Sequence, residues 1–186
     1  MTWLLIILAV LVVVAVLLLV VTYNRLIALR NIVEESWRQV DVELHRRYDL
    51  IPNLVESVKG YAAHERGTFE AVTVARAAAS TPGSTPAEQA QQENMLTSAL
   101  RQLFAVAEAY PDLKANQNFL ELQRSLSETE DRIAASRRFY NANVRAFNTK
   151  IQSVPSNLIA NTFGFKIADY FEVDDPNVRS APRVQF

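Results

Sequence analysis

The chain has no cysteine. That excludes disulfides, thiolate metal sites, palmitoylation and a lipoprotein anchor, and it leaves the redox compartment open. Glycine is nearly as scarce: Gly60, Gly67, Gly83 and Gly164 stand too far apart to form a phosphate-cradling loop. There are two histidines, His45 and His64. A di-iron helical core needs Glu-x-x-His on two helices, but Val42 and Tyr61 occupy the glutamate positions. HERGT, from His64 to Thr68, opens like a zinc-binding H-E-x-x-H and then has threonine where the second histidine belongs. No serine or threonine sits in a nucleophile elbow. The formal net charge is −1, so there is no basic face to recommend nucleic acid. From residue types alone we expect neither an enzyme nor a resident metal or cofactor.

What is abundant is apolar residue, 49% of 186, much of it at one end. Trp3 to Val21, WLLIILAVLVVVAVLLLVV, contains no polar residue. At about 1.5 Å per residue a helix of that length covers roughly the 30 Å hydrocarbon core of a bilayer. Trp3 and Tyr23 bracket it, where aromatic rings favour the interface. A cleaved signal peptide is the alternative. Against it stand the lack of Lys or Arg before the run, the run's length, and the lack of a small-x-small cleavage site before TYNRL. A retained single-pass anchor over residues 1–22 is expected. Arg25, Arg30 and Arg38 follow the span, so the positive-inside rule places the remainder on the cytoplasmic face of the plasma or inner membrane.

Beyond the anchor, apolar positions step by three and four. One run is Leu26, Leu29, Val33, Trp37, Val40, Leu44, Tyr48, Ile51, continued by Leu54, Val58, Ala62, Glu65, Phe69, Val72. Others are Leu96 to Tyr110 and Phe119 to Ile151. Such stripes belong to helices that pair into left-handed bundles, and no segment shows sustained strand alternation. TPGSTP, Thr81 to Pro86, is a loop; Thr85 or Ser84 can cap the helix after it. YPDLK, Tyr110 to Lys114, is the next boundary, with Asp112 as cap. Pro52 lies three residues after Asp49, an arrangement that favours a turn at Tyr48–Asp49 and a fresh helix behind it. Gly60 is then a mid-helix residue. A single kinked helix through Pro52 is the competing arrangement, because the heptad phase runs on unbroken. From Ser153 the chain changes character. Pro155, Pro176 and Pro182 exclude a long helix, and Ser156 can cap a short one. Phe163, Phe165, Tyr170 and Phe171 are too apolar for a free tail, so they should dock on the bundle, a neighbouring subunit or lipid.

Two polar groups have competing uses. Arg46 and Arg47 with Asp41, Glu43 and Asp49 form either a solvated charged turn or a partner-docking surface. Asn116, Asn118, Asn141 and Asn143 are poor helix formers that serve either as buried amides setting register or as a binding surface. Trp37, between apolar positions 33 and 40, is read as a core anchor.

Three long blocks carry a family resemblance: TYNRLIALRNIVEESWRQVDVELHRRYDLIPNLVESVKGYAAHE, YPDLKANQNFLELQRSLSETEDRIAASRRFYNANVRAFN and VPSNLIANTFGFKIADYF. In these blocks the chain resembles the LemA family of bacterial membrane-anchored proteins. The resemblance implies an N-terminal transmembrane helix followed by an up-and-down four-helix bundle with an irregular C-terminal tail. The corresponding division is 1–22 anchor, 23–152 bundle and 153–186 tail. It also implies the company of membrane proteases of the HtpX type and of TPM-domain proteins. The expectation is a non-catalytic scaffold or adaptor on the bilayer, with Arg46, Arg47, Asp49, Phe163, Phe165, Tyr170 and Phe171 as docking residues and Trp3, Tyr23 and Arg25 flanking the anchor. The alternatives are a homo-oligomer that organises or remodels membrane and, further off, a ligand- or metal-binding bundle.

Overall fold

The computed structural model describes residues 1–173. Pro176 and Pro182 lie outside the described residues. Among the described residues six helices follow in order: α1 Thr2–Lys59, α2 Arg66–Ala79, α3 Pro86–Glu108, α4 Pro111–Lys114, α5 Gln117–Gln152 and α6 Ser156–Thr162. Among the described residues there is no strand, so the fold is all-α, as the apolar spacing requires. The chain divides into two compact units: Met1–Val40 with Ser136–Asp169, and Asp41–Ala135 with the segment that starts at Tyr170.

In the first unit, Leu26, Val33 and Val40 of α1 are buried, as are Tyr140, Val144, Phe147 and Ile151 of α5. Trp37 packs its ring 5.2 Å from Tyr140. Phe165 stands against both Phe147 and Tyr23, at 6.5 and 5.8 Å between ring centres. Residue 140 is thus level with 37, while 147 is nearer 23, so these parts of α1 and α5 run antiparallel. Trp3 to Val21 is exposed throughout. This stretch is long and apolar enough to cross a membrane.

In the second unit the buried side chains include Leu44, Tyr48, Ile51 and Leu54 of α1, Phe69 and Val72 of α2, Leu96 and Leu103 of α3, and Leu126 of α5. Helices α2 and α3 pack on one another. Thr85 caps α3 as expected. Its hydroxyl accepts from the Glu88 backbone N–H at 3.3 Å, the Glu88 carboxylate accepts from the Thr85 N–H at 2.8 Å, and Pro86 fills the first helical position.

Four boundaries differ from expectation. Ser156 does not cap α6; it is the first residue of that helix and its hydroxyl donates back to Lys150 O at 2.7 Å. No turn occurs at Tyr48–Asp49; α1 continues through Pro52 to Lys59. Asp49 is an exposed mid-helix residue and caps nothing. The break comes instead at residues 60–65, so Gly60 closes α1 and Glu65, assigned to the stripe, lies between helices. Low helix propensity at Gly60, where backbone freedom is greatest, accounts for the stop. Nor does Asp112 cap the long fourth stripe. Residues 111–114 form the separate turn α4, and Asn116 caps α5 by accepting from the N–H groups of Asn118 and Phe119 at 2.9 and 3.2 Å. Asparagine's short carbonyl reaches the first free N–H groups as well as aspartate does.

Candidate functional site

The chemistry of the second unit centres on Arg47. It lies three residues after Leu44 and four before Ile51, on the buried face of α1. Its side chain is 3% exposed, so its charge does not reach solvent. A buried guanidinium requires a counter-charge. Glu93 of α3, itself 1% exposed, supplies it: Arg47 Nη2 meets Glu93 Oε2. Arg47 Nη1 donates to Glu130 Oε1 of α5 at 2.8 Å, and Glu130 leads the cluster out to solvent.

The other Glu93 oxygen is equally engaged. It accepts from the Tyr48 hydroxyl and, at 2.8 Å, from Gln89 Nε2. Gln89 Nε2 also lies 2.8 Å from the Ala79 carbonyl that ends α2. Burial pushes the Tyr48 phenol up to about 12, against the opposing pull of Arg47, so it remains a proton donor at neutral pH. Glu93 thus ties α3 to α1 through Arg47 and Tyr48, and Tyr48 and Gln89 carry the network on to the end of α2. Its oxygens face Arg47, Tyr48 and Gln89, a contact set that ties helices together.

Pro52 belongs to the same cluster. Lacking an N–H, it leaves the Tyr48 carbonyl without its helical partner. Arg76 of α2 fills the gap, donating from Nε to Tyr48 O at 2.7 Å. A proline that reads as a stop is thus carried inside a helix because another helix satisfies the carbonyl it orphans.

The remaining docking candidates are dispersed. Arg46 is exposed and pairs with Glu43 at 3.2 Å, and Asp49 is exposed beside it. Phe171 is fully buried and Tyr170 half-buried. In the first unit, Tyr23 packs on Phe163 at 4.9 Å and on Phe165. Arg30 lies over the Phe165 ring at 5.7 Å. Trp3 and Arg25 are exposed, and Trp37 is half-buried on Tyr140.

The segment after α6 is clasped by a side-chain amide. Asn148, buried on α5, donates to Ala168 O at 2.9 Å and accepts from Ala168 N at 2.8 Å. The Tyr140 hydroxyl donates to Asp169 O at 2.7 Å; burial, then the Asp169 charge, raises its phenol to about 12.

Sequence reasoning passed over Gln89, Glu93, Glu130, Arg76 and Asn148. A signal existed for two. Gln89 and Glu93 precede Leu96 by seven and three residues, in phase with its apolar stripe, where a polar side chain is buried and needs a partner.

These features describe an all-helical protein, over the described residues, with one long, exposed, apolar N-terminal helix segment and two helical units, each held internally by buried polar contacts. The sequence model of the LemA family matches residues 36–186, and the chain belongs to that family. It is 29% identical over 175 residues to Magnetosome protein MamQ 2 of Paramagnetospirillum magneticum, covering 81% of this chain and 64% of that protein. It is likewise 29% identical over 140 residues to Protein LemA of Metamycoplasma hominis, covering 74% and 63%. Magnetosome protein MamQ of Magnetospirillum gryphiswaldense is 26% identical over 174 residues, covering 80% and 64%. The chain therefore spans a little under two thirds of the length of these relatives.

Proposed function

We propose that the protein is a non-catalytic helical scaffold or adaptor, held on the cytoplasmic face of a membrane by residues 1–22. The exposure of Trp3 to Val21 along its whole length carries this reading, since nothing among the described residues covers it. The polar groups of the second unit support it further, because Glu93, Arg47 and Tyr48 are spent on one another. The division into anchor, 23–152 body and 153–186 tail, and the up-and-down four-helix arrangement of the body, are part of the same proposal. So is recruitment of a membrane protease of the HtpX type or a TPM-domain protein, with Arg46 and Asp49 as accessible contacts. Anchoring raises the effective concentration of any partner in the same thin layer. Cross-linking mass spectrometry on native membranes tests it: cross-links from the body to another membrane protein are expected. Recovery of this chain alone, as a monomer, overturns it.

A homo-oligomer that organises membrane is the second reading. It is favoured by an open apolar groove of about 470 Å³ between α2 and α3, edged by exposed Val74 and Met95. Particle size in lipid discs separates the two.

A further inference from the structure

The chain returns to the end of its apolar segment. Trp37 is level with Tyr140. Eleven residues onward in α5, and eleven back in α1, Ile151 is level with about Leu26, and both are buried. Helix α5 ends at Gln152, so α6 and the residues around it lie at about the depth of Tyr23, two residues past the last apolar residue of the run. The Tyr23–Phe163 ring contact, 4.9 Å, fixes that depth independently.

At this level one set of side chains turns inward and another outward. Ser156 and Ala160 are buried, and Phe165 is held between Tyr23, Phe147 and Arg30. Val154, Leu158, Phe163 and Ile167 are 81, 66, 51 and 60% exposed. Four large apolar side chains left open within some fourteen residues are costly in water, at about 25 cal/mol for each Å². Nearest the apolar run the charge is of one sign; the first acids, Glu34, paired with Arg30 at 3.7 Å, and Asp169, beside Tyr140, lie further from it. From Gln152 to Ala168 there is no Asp or Glu, only Lys166; from Thr22 to Val33 there is none either, only Arg25 and Arg30. A protein partner's surface ordinarily carries both signs, whereas an acid-free apolar patch edged by cations matches an anionic lipid headgroup layer.

We propose that Val154, Leu158, Phe163 and Ile167 form a second, non-spanning membrane contact that lies in the headgroup layer beside the transmembrane segment. Lys166 and Arg25 sit at its rim and meet lipid phosphates. The proposal rests on the reading of Trp3–Val21 as a span, of which this surface is the lateral continuation. It makes the membrane attachment two-point, fixing the rotation of α1 about its axis as well as its depth.

Because the chain has no cysteine, single replacements give unique labelling sites in the full-length protein. Leu158→Cys, Ile167→Cys, Leu11→Cys and Val74→Cys, each carrying an environment-sensitive fluorophore, are reconstituted in phosphatidylcholine vesicles with and without phosphatidylglycerol. Unchanged helical circular dichroism confirms folding, and Ile167 reports the same surface if the Leu158 variant misfolds. The labels at 158 and 167 are expected to be quenched severalfold more by nitroxides high on the acyl chain than by deep ones, and more so with phosphatidylglycerol. The label at 11 should show the reverse depth preference, and that at 74 no quenching. A solvent-like signal at 158 and 167, with 11 still quenched, overturns the second contact and leaves the span standing. A blue-shifted signal at 158 that no lipid nitroxide quenches assigns the surface to a second copy and overturns the proposal. Loss of quenching at 11 overturns the span and the proposal together.

Discussion

Arg47 and Glu93 show how much of a buried site rests on charge balance. Each is desolvated, and each is the other's buried counter-charge, with the half-exposed Glu130 a second partner for Arg47. Glu93→Ala should therefore cost about 3 kcal/mol, the low end for breaking a buried pair, by leaving the guanidinium to Glu130 alone. The double variant Arg47→Met with Glu93→Leu should recover most of that loss, since a well-packed apolar pair replaces both charges. Denaturant titrations of the native chain and the two variants measure it; equal loss in the single and the double variant would show that the pair is more than a balanced charge. The two buried phenols set an alkaline limit. Unfolded tyrosine ionises near 10.0, whereas Tyr48 and Tyr140 hold their protons to about 12. Above pH 10 the folded state thus binds more protons than the unfolded one, so stability is intact below 10 and declines as pH climbs towards 12. Helical circular dichroism and phenolate absorbance should move together across that window. Tyr48→Phe with Tyr140→Phe should flatten the decline. Burial of Arg47 was readable from its place in the stripe between Leu44 and Ile51, but its partners were not. Glu93 and Glu130 lie 46 and 83 positions away, a separation at which local spacing carries no information.

At the scale of an element, Pro52 separates what pattern can and cannot supply. The unbroken heptad phase through α1 already pointed to one helix, and the Asp49–Pro52 start signal pointed to two. The decision lies in Arg76, on a different helix, which satisfies the Tyr48 carbonyl. Arg76→Ala should destabilise by about 1.5–3 kcal/mol in the native background, the usual range for a charged hydrogen bond. In a Pro52→Ala background the restored N–H of residue 52 takes over that carbonyl, and the same replacement should cost less, with a coupling of about 1 kcal/mol. A double-mutant cycle with no coupling would mean that Arg76 acts elsewhere. The α3 start, by contrast, was legible in full: Thr85, Pro86 and Glu88 form a local device that needs no distant residue.

For the whole molecule, the exposed run Trp3–Val21 is the proposed anchor. Replacing several of its leucines and valines with glutamine should move the chain from the alkali-resistant membrane fraction to the soluble one, with helical content elsewhere retained. Persistence in the membrane after that change would assign attachment to the α6 surface alone. All-helical class and family were legible because stripes and long blocks survive at the level of sequence. The return of the tail to Tyr23 was not, since it depends on the clasp by Asn148. That clasp has a consequence for how the protein can diversify. The amide of Asn148 and the hydroxyl of Tyr140 grip only main-chain atoms of residues 168 and 169. A latch of that kind is indifferent to the side chains it secures and rejects only proline at 168, which has no N–H to offer. The outward letters of the returning strap can thus be rewritten for a different lipid or a different companion while the fastening stays shut.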